Sequence, residues 1–222
     1  MSSPESSPSL LQEPGQVVTA LGLVAAGRIT AFDWLADDAV HAPRTDVRVA
    51  FTRLAAGQVG RFDDLAAAAR DVAGGGEEVL VEAAEPYLAL FDGIGHRTRS
   101  QDWWERVVRT VVAGGMLRDL ARVVAGQLPA PAHDVAYAAL AGQGLTGLVA
   151  AEVARASGQD AALAARLALW GRRVAGEVLG AVQPVLAVAG SAGADLGELA
   201  APALGAISAG HARRMDRLGL AA

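Results

Sequence analysis

The chain has 222 residues, 19 basic against 24 acidic side chains, a formal net charge of −5 and no cysteine. Its length suits one domain with a sizeable core, and its acidic balance weighs against a duplex nucleic-acid partner. The lack of cysteine excludes disulfides, thiol catalysis and Cys-ligated zinc or iron–sulfur sites, and it fits a reducing cytoplasm.

Hydrophobic residues make up 52% of the chain and aromatics only 5%. The excess lies in Ala, Val and Leu, and no segment alternates with period two, so the composition predicts an all-α protein. Residues 1–15 (MSSPESSPSLLQEPG) are rich in Ser and Pro and read as a disordered tail ahead of a single domain over 16–222. The tail has no basic start and no apolar stretch, so it does not read as a secretory signal.

A first helix is expected over about 17–40, with Leu21, Val24, Ile29, Phe32, Leu35 and Ala39 on one stripe. The second runs over about 44–72, with Phe51, Leu54, Phe62 and Leu65 as its core stripe. Gln58 and Arg61 lie three apart there, so a helix aims both at the same neighbour. Gly74, Gly75 and Gly76 stop it. A crossover follows over 77–100, with a short helix or two before Leu90, Pro86 interrupting, and loop over 92–100 (DGIGHRTRS). Asp102 with Glu105 three residues on marks the start of a third helix reaching about Gln127. Pro129 and Pro131 turn the chain into a fourth helix over about 132–157, which carries a small-residue stripe of Ala138, Gly142, Thr146 and Ala150. A fifth helix spans about 160–189 with a kink expected at Pro184. A break at 190–193 and a final helix over about 196–218 complete the chain. The last helix ends with Arg213, Arg214 and Arg217, where cations suit its dipole.

The uncharged runs 135–151 and 178–194 fall just under the length that flags a membrane span, and they lack aromatic belts and basic flanks, so no membrane partner is expected. The glycines at 74–76 have neither a preceding strand nor a following Lys-Ser/Thr, and no P-loop is read there. Of the four histidines, His41 reads as a helix C-terminal residue, and His96 as a surface residue of the loop.

Five stretches carry a family likeness: LGLVAAGRITAFDWLADDA (21–39), RLAAGQVGRF (53–62), DWWERVVRTVVAGG (102–115), RLALWGRRVAGEVL (166–179) and HARRMDRLGL (211–220). Together they resemble bacterial ferritin-like proteins, in the actinobacterial group of the tRNA-modifying hydroxylase MiaE. The resemblance implies an antiparallel four-helix bundle with additional C-terminal helices. In metal-binding relatives it implies a non-haem di-iron centre held by Glu, Asp and His. Carried over by position, those ligands fall at Arg28, at Gln58 and Arg61, near Gly114, and at about Gly142 and Leu145. An amide is a weak ligand, a guanidinium has no lone pair to give, and two such cations repel iron. The resemblance therefore comes with the expectation that the metal has been lost and that no cofactor is held.

Buried arginines need partners, and Asp33 and Asp119 are the candidates, with Gln58 completing a network. Arg28, Gln58, Arg61 and Asp119 are the candidate ligand-binding residues of the vestigial site. Gly57, Gly60, Gly114, Gly115, Gly142 and Gly144 gather at the same level. Small residues there either let the helices close up, the expected outcome, or leave a cavity lined by Leu145, Met116 and Phe62. The expected function is a non-catalytic structural or interaction bundle, homodimeric or with a protein partner. The alternatives are a surviving di-iron hydroxylase, acting on tRNA, and a small-molecule binder using the space left by the metal.

Overall fold

A computed structural model describes residues 10–142, 144–191 and 196–220. They form α-helices throughout, with no strand among them: α1 (Pro14–Val40), α2 (Thr45–Ala73), α3 (Glu77–Arg97), α4 (Trp103–Ala125), α5 (Ala132–Ala139), α6 (Leu145–Ser157), α7 (Ala161–Ser191) and α8 (Leu196–Arg217). α1 and α4 pack side by side at the centre. α2 and α3 cover α1 on one flank, while α7 and α8 cover α4 on the other. α5 lies against α2 and α1, and α6 against α4, α7 and α8.

Local sequence explains why the two central helices start where they do. Pro14 opens α1 at a position whose amide needs no partner, and the Gln16 side chain accepts from the Glu13 amide at 3.3 Å. Asp102 caps α4 by accepting from the Glu105 amide at 2.9 Å, and the Glu105 carboxylate reaches back to the Gln101 amide at 2.9 Å. That capping box also docks α7. Arg166 donates to Glu105 at 2.7 Å and Asp102 at 2.6 Å, and the Trp170 ring N–H donates to the Glu105 carbonyl at 2.7 Å.

α1 is long and apolar enough to cross a membrane by length and composition, and most of that stretch is buried within the bundle. Such a helix, apolar all round, is what the centre of a bundle requires.

The structure corrects the sequence reading at four places. Within the expected tail, Leu11 is buried with its amide on the Gln127 carbonyl (3.2 Å), and Pro14 and Gly15 are already helical; residues 1–9 lie outside the described ones. The crossover is one continuous helix through Pro86 and on to Arg97, because Leu80, Ala84, Phe91 and Ile94 share a buried face that outweighs the cost of its glycines and proline. The fourth helix is broken: α5 stops at Ala139 and α6 starts at Leu145, with Gly144 at φ 79°. Only glycine adopts that conformation cheaply, and the small-residue stripe from Ala138 to Ala150 therefore never lies on one helix. Finally, α7 passes position 184 and continues to Ser191, through the first two positions of the expected break; positions 192 and 193 lie outside the described residues.

Candidate functional site

One face of α1 and one face of α4 enclose a cavity of about 70 Å³. From α1 it is lined by Gly27, Arg28, Ala31, Trp34 and Leu35, positions that recur every three to four residues. The same period runs along α4 through Thr110, Val111, Gly114, Leu117, Arg118 and Ala121. Leu54 and Gln58, one turn apart on α2, close a third side. The break in the bundle's fourth helix forms the roof, with Leu140 and Ala141 before it and Leu145 and Thr146 after it. At Gly27 and Gly114 an added Cβ would meet nothing within 4 Å. Gly114 thus leaves space open in place of the expected closure, while Gly115 beside it is packed against Arg214.

The polar groups of the cavity are cationic or neutral. Arg28 is 7% exposed, and its Nη1 donates to Gln58 Oε1 at 2.9 Å. The Gln58 amide nitrogen donates to the Leu54 carbonyl at 2.8 Å, which fixes the amide's orientation. Among the described residues no carboxylate lies within ion-pair distance of Arg28. Its Nε is buried without a hydrogen-bond partner, as are Thr30 Oγ1 and Arg118 Nε. Burial first, and then Arg118, Arg61 and Arg122, push Arg28 down to about 10. Burial, Arg122 and Arg214 likewise lower Arg118, against a smaller opposing pull from Asp119. Both remain protonated at neutral pH, at the cost of mutual repulsion.

The structure brings together only two of the four residues singled out from sequence, Arg28 and Gln58. Arg61 donates to the Ala138 carbonyl at the end of α5 and so ties α2 to the roof. Arg122 does the same from α4, donating to the Leu140 carbonyl at 3.1 Å. Asp119 points to the other side of α4 and pairs with Arg214 at 2.6 Å. Asp33 is not a partner of Arg28 either: its carboxyl is raised by partial burial and by Asp92. Met116 is sealed in the core and Phe62 packs beside it; of the three apolar residues expected to line the cavity, Leu145 does so. Arg118 was not singled out, although it lies one turn beyond Gly114 on the same stripe. Thr30 and Thr110 were missed too, since a lone hydroxyl on an apolar face carries no signal in sequence.

A second buried charge sits further along α1. Asp38 is fully buried, and neither carboxylate oxygen accepts a hydrogen bond among the described residues. The neighbouring Thr110 hydroxyl is spent on the Arg106 carbonyl at 3.2 Å. Burial raises the Asp38 carboxyl to about 7, only partly opposed by Thr110, Arg109 and Arg106. Arg109 lies 4.8 Å over the Trp34 ring, and Thr110 both neighbours Asp38 and lines the cavity. His41 is the C-cap residue of α1, with Nδ1 2.8 Å from the Asp37 carbonyl. His96 falls in the last turn of α3, beside Arg99.

A family model described as the ferritin-like domain of actinomycetes matches residues 12–198. No curated protein matches the chain. The chain belongs to that ferritin-like family. Di-iron members of the ferritin-like fold bind metal between inward Glu and Glu-x-x-His side chains. The residues present here do not suit such a centre. Arg28, Arg118, Gln58 and three threonines offer no anionic ligand, and among the described residues no three His, Cys, Asp or Glu side chains converge to hold a metal ion.

Proposed function

We propose that this ferritin-like protein is a non-catalytic relative of the MiaE-like hydroxylases, one that has lost the di-iron ligands and uses the cavity between α1, α2 and α4 to hold a small anion. The observation that carries the reading is Arg28: a guanidinium that is 7% exposed, faces a cavity, and among the described residues has only a neutral amide as partner. An unpaired buried charge costs several kcal/mol, and proteins normally pair such charges with a carboxylate or neutralise them. A bound anion offsets that cost from outside the chain. Arg118, beside the same cavity, adds a second positive charge that Asp119 offsets only in part and that an anion in the cavity would relieve further.

Two measurements test this reading. Protein purified from iron-supplemented cells is expected to carry far less than one iron per chain by elemental analysis; near-stoichiometric iron overturns the proposal and reinstates a hydroxylase. Thermal unfolding at constant ionic strength is expected to shift upward when chloride is replaced by phosphate or acetate, because a ligand that binds only the folded state stabilises it. Equal melting temperatures in all three salts overturn the anion pocket.

A further inference from the structure

We propose that the anion is a short-chain monocarboxylate, gripped between Arg28 and the N-terminus of α6, with its alkyl body on the Trp34 side of the cavity. The inference rests on the reading of the cavity as an anion pocket and adds the ligand's class and its orientation.

The first support is the break in the fourth helix. α6 has 13 residues, and it begins at Leu145, which lines the cavity together with Thr146. The first backbone bond at its start runs from the Leu148 amide to the Gly144 carbonyl at 3.1 Å. The amides of Leu145, Thr146 and Gly147 precede it and have no acceptor within the helix. Most helices spend such donors on a Ser, Thr, Asp or Asn side chain at the cap. Here the cap is Gly144, which has no side chain to offer. Among the described residues no side chain caps that end, and Leu145 and Thr146 set it at a cavity that already contains a buried guanidinium.

The second support is independent of the helix end. Thr30 is 5% exposed, lines the cavity, and its hydroxyl has no hydrogen-bond partner among the described residues. Arg28 Nε is orphaned on the same helix. Buried polar atoms of this kind are rare unless something satisfies them. A carboxylate has two oxygens and about four acceptor sites, enough for a guanidinium on one side and backbone amides on the other.

Size and lining then choose among anions. At about 70 Å³ the cavity has room for about five waters, so the ligand has about four to seven non-hydrogen atoms. The apolar part of its wall is Trp34, Leu35, Leu54, Val111 and Leu117. A hydrated tetrahedral ion would set polar oxygens against that wall, whereas the methylenes of propionate or butyrate fit it. The ordinary carboxylate range lies well below neutral pH, so the ligand arrives ionised.

The test is a titration of ¹⁵N-labelled protein with acetate, propionate, butyrate and inorganic phosphate at fixed ionic strength. Saturable binding is expected to tighten from acetate to butyrate and to shift the amide signals of Leu145, Thr146 and Gly147. Arg28→Met is expected to weaken butyrate about tenfold or more. Thr30→Val, which keeps the shape of the side chain, is expected to weaken it by a smaller factor while leaving the spectrum otherwise native. Saturable binding of phosphate without the monocarboxylates overturns the carboxylate assignment and leaves the anion pocket standing. Carboxylate binding that leaves the three α6 amides unmoved overturns the clamp. Absence of binding by any of the four ions overturns both readings.

Discussion

Arg28 and Arg214 are each 7% exposed, and each keeps an Nε without a hydrogen-bond partner, yet the bundle treats them differently. Arg214 crosses from α8 to α4 and meets Asp119 at 2.6 Å. Two glycines make that crossing possible. A Cβ at Gly115 would lie 2.5 Å from Arg214 Nε, and one at Gly210 would lie 1.9 Å from Asp119 Oδ2. Around Arg28 the glycines do the opposite, leaving open space at Gly27 and Gly114. One arginine has its counter-ion inside the fold, packed until nothing else fits. The other has an amide and a cavity. The first arrangement holds α8 on the bundle; the second leaves a charge available to a ligand.

The comparison is broken most directly at Asp119. Asp119→Ala is expected to cost about 3–5 kcal/mol, because removing one partner leaves the other charge buried and uncompensated. Urea unfolding reads the effect, and a loss below about 1 kcal/mol would show that Arg214 swings out to solvent instead.

A third buried charge sharpens the contrast, since Asp38 has cations nearby but no hydrogen bond from them. Its folded value, about 7, lies above the ordinary carboxylate value of 3.8. The folded state therefore binds a proton that the unfolded state releases. That contribution is fully present below pH 4 and is lost as pH rises through 7. Integrated over the window it amounts to on the order of 4 kcal/mol, with other groups superimposed. Asp38→Asn is expected to flatten stability against pH between 4 and 8 and to make the protein more stable at pH 8. Unchanged pH dependence in the variant would mean that the carboxyl ionises freely in the folded protein.

At Arg28 the sign reverses. Arg28→Met in anion-free buffer removes an unpaired buried cation and is expected to raise stability by about 1 kcal/mol, net of the donor lost to Gln58. The same variant is expected to lose the stabilisation by acetate predicted for the parent protein. A destabilisation as large as that of Asp119→Ala would show that Arg28 is structural glue, and the two arginines would then be equivalent.

Much of this was legible in the chain itself. The helical period, the Asp102–Glu105 capping box and the spacing of Gln58 from its neighbours all express local geometry, which sequence records directly. The place of the cavity was legible, because Arg28 and the glycine at 114 stand on stripes that must face each other if α1 and α4 pack, but closure was expected there and the open space was not. What escaped was decided by tertiary contact. α3 continues through Pro86 and past Asp92 because Phe91 and Ile94 find a buried face. The pairing of Asp119 with Arg214 joins residues far apart in sequence, and nothing near Asp119 indicates which side of α4 it takes. The break before Leu145 was signalled by Gly142 and Gly144, which cost a helix backbone entropy, but the spacing of Gly142 with Ala138 and Ala150 reads as a helix-packing stripe.

That break supplies the smallest and most specific expectation. Arg61 and Arg122 hold the Ala138 and Leu140 carbonyls, so the roof of the cavity is tied to α2 and α4 by charged donors on the partly exposed rim. Such bonds are worth about 1 kcal/mol each when solvent competes for both partners. Arg122→Ala is therefore expected to change global stability little. Because the roof opens locally at a cost below that of global unfolding, the loss appears instead as amide exchange about fivefold faster over residues 140–147, with α1 and α4 unaffected. In the parent protein, butyrate is expected to slow exchange over the same residues, since the ligand bridges Arg28 to the amides at the start of α6. If Arg122→Ala accelerated exchange along α4 as strongly as in the roof, the tie would belong to the bundle core, and the roof would not be an element that moves on its own.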